Sequence, residues 1–252
     1  MTEGLLQYLE NFLTDQRKNR IEAILANRTR RVTLVLEDLL DPHNASACLR
    51  SAEACGIQDV HIVENRHNFQ VKTGVSMGSA RWLTIRRYRS DLLGVADPSP
   101  MATLPILDFP VDSNDATTRC LSDLREKGYR IYATSPHENS IELPELDPSV
   151  PAAIVFGSEK DGISGTARQM ADQCLRIPMY GFTESYNISV SAAITLYDVT
   201  MRMRNSTYNW HLSDKEKEEL RLLWVRQSLR RSEFLEKQFR REQNASTHTM
   251  DD

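Results

Sequence analysis

Between residues 31 and 64 the chain runs strand, helix, strand, and little else about it narrows the fold as much. RVTLVLEDL (31–39) is a near-continuous run of β-forming apolar residues. A helical spacing follows Pro42, extends from Asn44 to Cys55 and stops at Gly56; DVHIVE (59–64) then reads as a strand again. Two strands joined by about a dozen helical residues pair in parallel through a right-handed crossover. Strands apolar at every position, rather than at alternate ones, predict a sheet covered by helices on both faces. The alternation continues with WLTIRRY (82–88) as strand, TTRCLSDLREKG (117–128) as helix, and YRIYAT (129–134) and AAIVFG (152–157) as strands. A helix near Thr166–Gln173, a strand CLRIPM (174–179) and a long helix from Asn187 to Arg204 complete it. The expected class is α/β, a mostly parallel open sheet flanked by helices.

At the ends, helical spacing of Leu5, Leu6, Leu9, Phe12, Leu13, Ile21, Ile24 and Leu25 predicts an N-terminal helical extension over 1–30. Ser213 with Glu216 forms a capping-box start for a last helical pattern, so 205–252 is expected to be a helical extension with a disordered tail after Gln243. The central domain is then 31–204. Within it, residues 91–115 hold four prolines and no clear period. A loop of that length is unusual in a compact domain, so it is expected to be an inserted surface loop or lid.

Composition excludes more than it selects. With 40% hydrophobic and 26% charged residues in 252, the chain is neither disordered nor fibrous. Its uncharged apolar stretches fall short of the ~18 residues a membrane span needs. Glu3 and Glu10 interrupt the N-terminal apolar pattern, which does not fit a secretory signal. Cys48, Cys55, Cys120 and Cys174 show no CxxC pairing and lie in apolar periodic segments, as buried reduced thiols of a cytoplasmic protein would. No His/Cys/Asp cluster has metal-ligand spacing, so no metal is expected.

The formal charge of −4 argues against a polyanion partner, but its distribution does not. From Asn65 to Ser90 there are six bases and no acid, and from Asp91 to Val150 eleven acids against four bases. From Arg221 to Arg241 seven bases face two acids. Each basic run taken alone reads equally well as a solvated helix face. Together, basic patches on a mildly acidic body fit a polyanion met at a defined face.

Three segments carry the chemistry. GSEKDGIS (157–164) follows a strand and precedes a helix, with Gly157 and Gly162 spaced as in a P-loop. Ile163 stands where the phosphate-binding lysine belongs, so nucleotide hydrolysis is disfavoured, and no GxGxxG follows the first strand. What remains is a glycine-flanked turn at a strand's C-terminal end, displaying Glu159 and Lys160. In IPMYGFTESYNISVSAA (177–193), Ser185, Asn187 and Ser189 cluster at a helix N-terminus. Capping uses one such residue, not three; the others are available for phosphate or ribose oxygens. In LDPHNASACLRSAEACG (40–56), Asn44 and Arg50 are six residues apart, about 600° in phase, and so do not share a helical stripe. They can meet one ligand only beyond the strand ends. His43, in the turn, reads as a solvent-exposed residue or as a base.

In this order the segments DPHNxxxxxRxAxxxG, FGSExxGIS and IPMxGxxxSxNxSVSAA resemble the three motifs of the SpoU branch of the SPOUT (class IV) RNA methyltransferases, over residues 32–204. The helices at both ends resemble the members acting on the D-loop guanosine of tRNA. The resemblance implies a deep trefoil knot in the C-terminal half of the α/β domain, S-adenosylmethionine bound within the knot loops, and a homodimer. Residue by residue it places Asn44, Arg50, Glu159, Ser185 and Asn187 in the catalytic site. Cofactor contacts fall at Gly157, Ile177, Met179, Gly181 and Ile188. The terminal helices would bind RNA, here through Arg226, Arg230, Arg231, Arg240 and Arg241. Alternatives are a ribosomal RNA ribose as substrate, or a silent RNA-binding protein. The short stretch before the first strand and the presence of both Arg50 and Asn187 argue for the tRNA enzyme.

Overall fold

The computed structural model describes residues 2–71, 78–93, 106–111, 115–136 and 140–248. Their contacts divide the chain into two compact units, Thr29–Trp210 and a second made of Met1–Arg28 with His211–Asp252.

Among the described residues of Thr29–Trp210, eight parallel strands form one sheet. They are β1 (Val32–Glu37), β2 (Asp59–Glu64), β3 (Thr84–Ser90), β4 (Ile106–Val111), β5 (Arg130–Thr134), β6 (Ser140–Glu142), β7 (Ala152–Phe156) and β8 (Gln173–Arg176). Their order is β4-β3-β2-β1-β7-β5-β8-β6. Every residue of β1, β2 and β7 is buried, as the unbroken apolar runs predict. Alternate side chains feed two cores. Leu34, Leu36, Ile154 and Phe156 pack with Cys48 and Leu49 of α3 (Pro42–Ala54) and with Leu196 and Val199 of α6 (Ile188–Arg204). Val35, Ala153 and Val155 pack with Cys120, Leu121 and Leu124 of α4 (Ala116–Glu126) and Ala167 of α5 (Gly165–Met170). Cys48 and Cys120 are free buried thiols, and burial pushes the Cys48 thiol up to about 12.

Several sequence expectations shift. Residues 106–111, expected to belong to an inserted loop, form β4, whose register runs Ile85↔Ile106 to Ser90↔Val111. Pro110 is tolerated because β4 is the sheet edge. The rest of the expected insertion that falls at 94–105 and 112–114 lies outside the described residues. CLRIPM stops being strand at Arg176, leaving Ile177 to Met179 as loop. The domain boundary lies beyond Arg204, because Tyr208 and Trp210 pack on the core and Thr29 donates its hydroxyl to the Trp210 carbonyl at 2.7 Å.

The unit built from the two ends contains α1 (Thr2–Glu10), α2 (Asp15–Leu25), α7 (Asp214–Ser228) and α8 (Ser232–His248). The Ser213/Glu216 capping box is present. The expected tail is corrected as well: α8 runs to His248, five residues past Gln243.

Candidate functional site

Parallel strands deliver their following loops to one edge of the sheet, and the chain's order reverses between β1 and β7, where open α/β sheets bind ligands. A cavity of about 570 Å³ lies at the ends of β5, β7 and β8, a size suited to an organic ligand. Phe156, Leu175, Ile177, Met179 and Ile188 give it an apolar lining, and Glu159, Asp161, Glu184, Ser185 and Asn187 line it with polar groups.

Gly157 opens the turn after β7. Ser158 and Gly162 exchange backbone hydrogen bonds at 3.0 Å each way, and the Ser158 hydroxyl accepts from the Asp161 amide at 3.0 Å. A Cβ on Gly157 would lie 2.1 Å from the Gly162 backbone, so no other residue permits this hairpin-like loop. Gly162 has φ +68°, in the left-handed region. The far end of the loop is tied to β1: buried Glu37 accepts from the Ser164 amide (2.8 Å), the Ser164 hydroxyl (2.7 Å) and the Thr117 hydroxyl (2.5 Å). Ser164 is also the N-cap of α5.

Three motifs meet in one directional chain of side chains. Glu159 accepts from Asn44 Nδ2 at 2.9 Å and from the Leu40 amide. Because a carboxylate only accepts, the Asn44 amide must turn its NH2 toward Glu159, leaving Oδ1 to accept from Asn187 Nδ2 at 3.1 Å. Asn187 then presents Oδ1 to the Ser189 amide (2.9 Å) and hydroxyl (2.6 Å), capping α6. Glu159 thereby fixes both amides.

The predicted residues separate. Glu159, Ser185 and Asn187 line the cavity, and Asn44 joins them through hydrogen bonds. The Ser185 hydroxyl has no partner among the described residues and is exposed. Arg50 does not line the cavity; it is an exposed residue of α3, six positions and ~9 Å of helix rise from Asn44. Gly157, Ile177, Met179 and Ile188 line the cavity, whereas Gly181 does not. The basic run at 65–90 is largely paired internally: Arg66 with Asp38 and Asp161, Arg87 with Asp108, Arg89 with Glu64. Lys72 lies outside the described residues. Among the C-terminal arginines, Arg226 is held by both oxygens of Glu236, at 2.7 and 3.1 Å.

Sequence reasoning passed over Thr195, which lines the cavity fully buried with its hydroxyl unpartnered among the described residues. The signal was helical spacing, since Ile188, Ser191 and Thr195 form one stripe of α6. Among the described residues no group of three or more His, Cys, Asp or Glu could hold a metal ion. No described helix is long and apolar enough to cross a membrane.

A model of the SpoU rRNA Methylase family matches residues 31–93 and 103–197. The tRNA (guanosine(18)-2′-O)-methyltransferase of Borreliella burgdorferi is 37% identical over 228 residues, covering 90% of this chain and 93% of that protein. The A. aeolicus TrmH/SpoU tRNA modifying enzyme shares the fold with a TM-score of 0.67 at 24% identity, over 85% of this chain and 98% of that one. The SpoU methyltransferase AviRb from Streptomyces viridochromogenes, solved with AdoMet, shares it at a TM-score of 0.53 and 19% identity, over 72% of this chain and 64% of that one.

Proposed function

The chain belongs to the SpoU rRNA Methylase family, and from that premise we propose that it transfers a methyl group from S-adenosylmethionine to the 2′-hydroxyl of a ribose in RNA, the D-loop guanosine 18 of tRNA. The 37% identity to a guanosine(18) enzyme along nearly the whole of both chains favours tRNA over ribosomal RNA. The observation that carries the reading is the junction of Glu159, Asn44 and Asn187 at the rim of a cavity suited to the cofactor.

The cavity fits that cofactor. Its apolar lining suits an adenine ring, and the Thr195 hydroxyl, unpartnered among the described residues, offers a polar contact. A charged lining of both signs, Glu159, Asp161 and Glu184 with Lys160, Arg168 and Arg176, suits a cofactor that carries a sulfonium, an ammonium and a carboxylate. Gly157, Ile177, Met179 and Ile188 would hold it, with Gly181 contributing through the same loop. The cofactor supplies a methyl on a sulfonium, a good leaving group, which leaves the protein the tasks of placement and of easing loss of the hydroxyl proton. Ser185 and Asn187 hold the target nucleotide. Asn44, locked by Glu159, orients the ribose. Arg50, a planar cation with a fork of N–H donors, orients a phosphate and stabilises the charge developing on the 2′-oxygen.

Within one chain Arg50 stands apart from that junction, which supports a site completed by a second copy in a homodimer. An exposed apolar stripe on α6, formed by Val190, Tyr197 and Met201, offers the surface. We further infer that Ala152–Arg204 forms a deep trefoil knot. The 1–30 and 205–252 segments act as RNA-binding extensions. The enzyme works in the cytoplasm, where its substrate is found and where four free cysteines belong.

The test is methyl transfer from labelled cofactor to an unmodified tRNA transcript and to protein-free ribosomal RNA, with digestion to nucleosides. Label is expected in 2′-O-methylguanosine of tRNA, and Arg50→Ala should lower turnover by at least 100-fold while cofactor binding persists. Label in ribosomal RNA alone would overturn the tRNA assignment, and near-normal turnover by Arg50→Lys would remove the special role of the guanidinium.

A further inference from the structure

Phe234 of α8 is 61% exposed, although the helix has an apolar seat available on its other side. That other side carries Phe239, whose ring lies 5.1 Å from Tyr8 of α1 and next to Gly4. At 100° per residue Phe234, Lys237 and Arg241 fall within about 60° of one another, while Phe239 lies roughly 140° away from Phe234. Arg230, in the turn between α7 and α8, precedes Phe234 by four positions. Arg230, Lys237 and Arg241 are exposed and have no ion-pair partner among the described residues. Arg226 and Arg240 differ, whereas Arg231 is exposed beside Arg230. Arg226 is neutralised by the two oxygens of Glu236, and Arg240 faces the same carboxylate at 4.0 Å.

We propose that Arg230, Phe234, Lys237 and Arg241 form an RNA-docking stripe in which Phe234 stacks on an unpaired base and the three cations meet the phosphates beside it. This rests on the RNA methyltransferase reading and refines it, because it separates Arg230 and Arg241 from the carboxylate-held Arg226 and Arg240 and adds Lys237 and the aromatic Phe234 to them. An exposed aromatic ring set among unpaired cations is the chemistry that binds single-stranded nucleic acid: the ring stacks on a base's π-face and the cations release counterions. A second copy of this chain is a poor occupant, since like stripes would bring six cations together with no acid in either stripe to oppose them.

The experiment measures affinity for a tRNA transcript across a salt series, for the full chain and for Phe234→Ala, Phe234→Tyr, Lys237→Ala/Arg241→Ala and Arg226→Ala. Sedimentation velocity and methyl transfer at saturating tRNA accompany it. Phe234→Ala should weaken binding on the order of 10-fold with the salt slope unchanged, and Phe234→Tyr should restore it. The double cation variant should lower the slope of log affinity against log salt by about 1.4, roughly 0.7 for each phosphate that is no longer neutralised. Arg226→Ala should leave that slope unchanged. Wild-type affinity in Phe234→Ala overturns the proposal, as does a change in sedimenting mass, which would make the stripe a protein–protein interface. Stripe-dependent binding without methyl transfer by the wild type would support the stripe and overturn the catalytic reading alone. Methyl transfer with stripe-independent binding would overturn the stripe alone.

Discussion

Glu37 shows what a single residue can hide from a sequence. It ends an apolar strand, 1% exposed, and its carboxylate accepts three hydrogen bonds from Thr117 and Ser164. Those partners lie 80 and 127 positions away, so the pattern VTLVLE announces a buried strand and nothing of the carboxylate's work. Asn44, Glu159 and Asn187 each stood out at a turn or a helix start, but it was the family resemblance, not their spacing, that grouped them in one expected site. The hydrogen-bond order that links them was not legible. Glu37 is a positioning residue for the cavity loop, since it fixes the N-cap of α5 immediately after Gly162 and Ile163. Glu37→Gln would replace one carboxylate oxygen by an NH2 group, set either against the Ser164 amide or against the Thr117 and Ser164 hydroxyls, at a cost of about 1–3 kcal/mol in unfolding free energy for the buried donors left unsatisfied. Affinity for S-adenosylmethionine should fall about 10-fold while turnover at saturating cofactor stays within a few-fold of wild type. Calorimetric binding and a denaturant melt measure the two effects. Loss of stability with cofactor affinity unchanged would reduce Glu37 to a purely structural role.

Elements were legible where a hydrophobic period was uninterrupted. β1, β2, β7 and α6 fell within a residue or two of their expected bounds, but β4 did not, because proline and aspartate break its pattern. It is recruited by its neighbour: Asp108 lies directly across from Arg87 in the register and pairs with it at 2.5 Å. Glu64 is likewise the register partner of Arg89. Arg87 and Arg89 of the basic run at 65–90 are therefore sheet chemistry rather than a polyanion surface, which only the pairing order could reveal. The same strands bury His61, stacked on Tyr88 at 5.9 Å with its Nδ1 unpartnered among the described residues. Burial, with Arg86 and Lys127 adding to it, pushes the imidazole from its ordinary 6.5 down to about 3. Between those values the unfolded chain binds a proton that the folded chain refuses, so stability falls as pH falls through this window, by up to about 1.4 kcal/mol per pH unit. Urea melts at pH 7 and pH 5 should show the wild type losing about 2 kcal/mol more than His61→Leu. Equal losses would mean that His61 is not kept neutral.

At the scale of the molecule, sequence order conceals which parts belong together. The first 28 residues form a compact unit with residues 211–252, not with the strand that follows them. Arg28 lies over the Trp224 ring at 5.3 Å, and Arg221 pairs with Glu22 across the two ends. Amphipathic spacing identified these helices without naming their partners, because an apolar stripe says only that something covers it. The same logic applies to α6, whose stripe of Val190, Tyr197 and Met201 stays open among the described residues, with Tyr197 63% exposed. These positions are seven and four residues apart, within one face of the helix. A dimer formed there would bury the stripe and, on the proposed reading, bring a second copy toward the Glu159–Asn44–Asn187 junction, in whose hydrogen bonds Arg50 of the same chain takes no part. This 252-residue chain should sediment at about twice 28.8 kDa. Tyr197→Glu combined with Met201→Glu would place two carboxylates opposite their own symmetry mates, a like-charge contact that should return the protein to monomer mass with its circular dichroism unchanged. Methyl transfer should be lost in that variant, because each site lacks its partner's contribution. A fully active monomer would show instead that one chain holds the complete site, and Arg50 would then have to act from where α3 presents it.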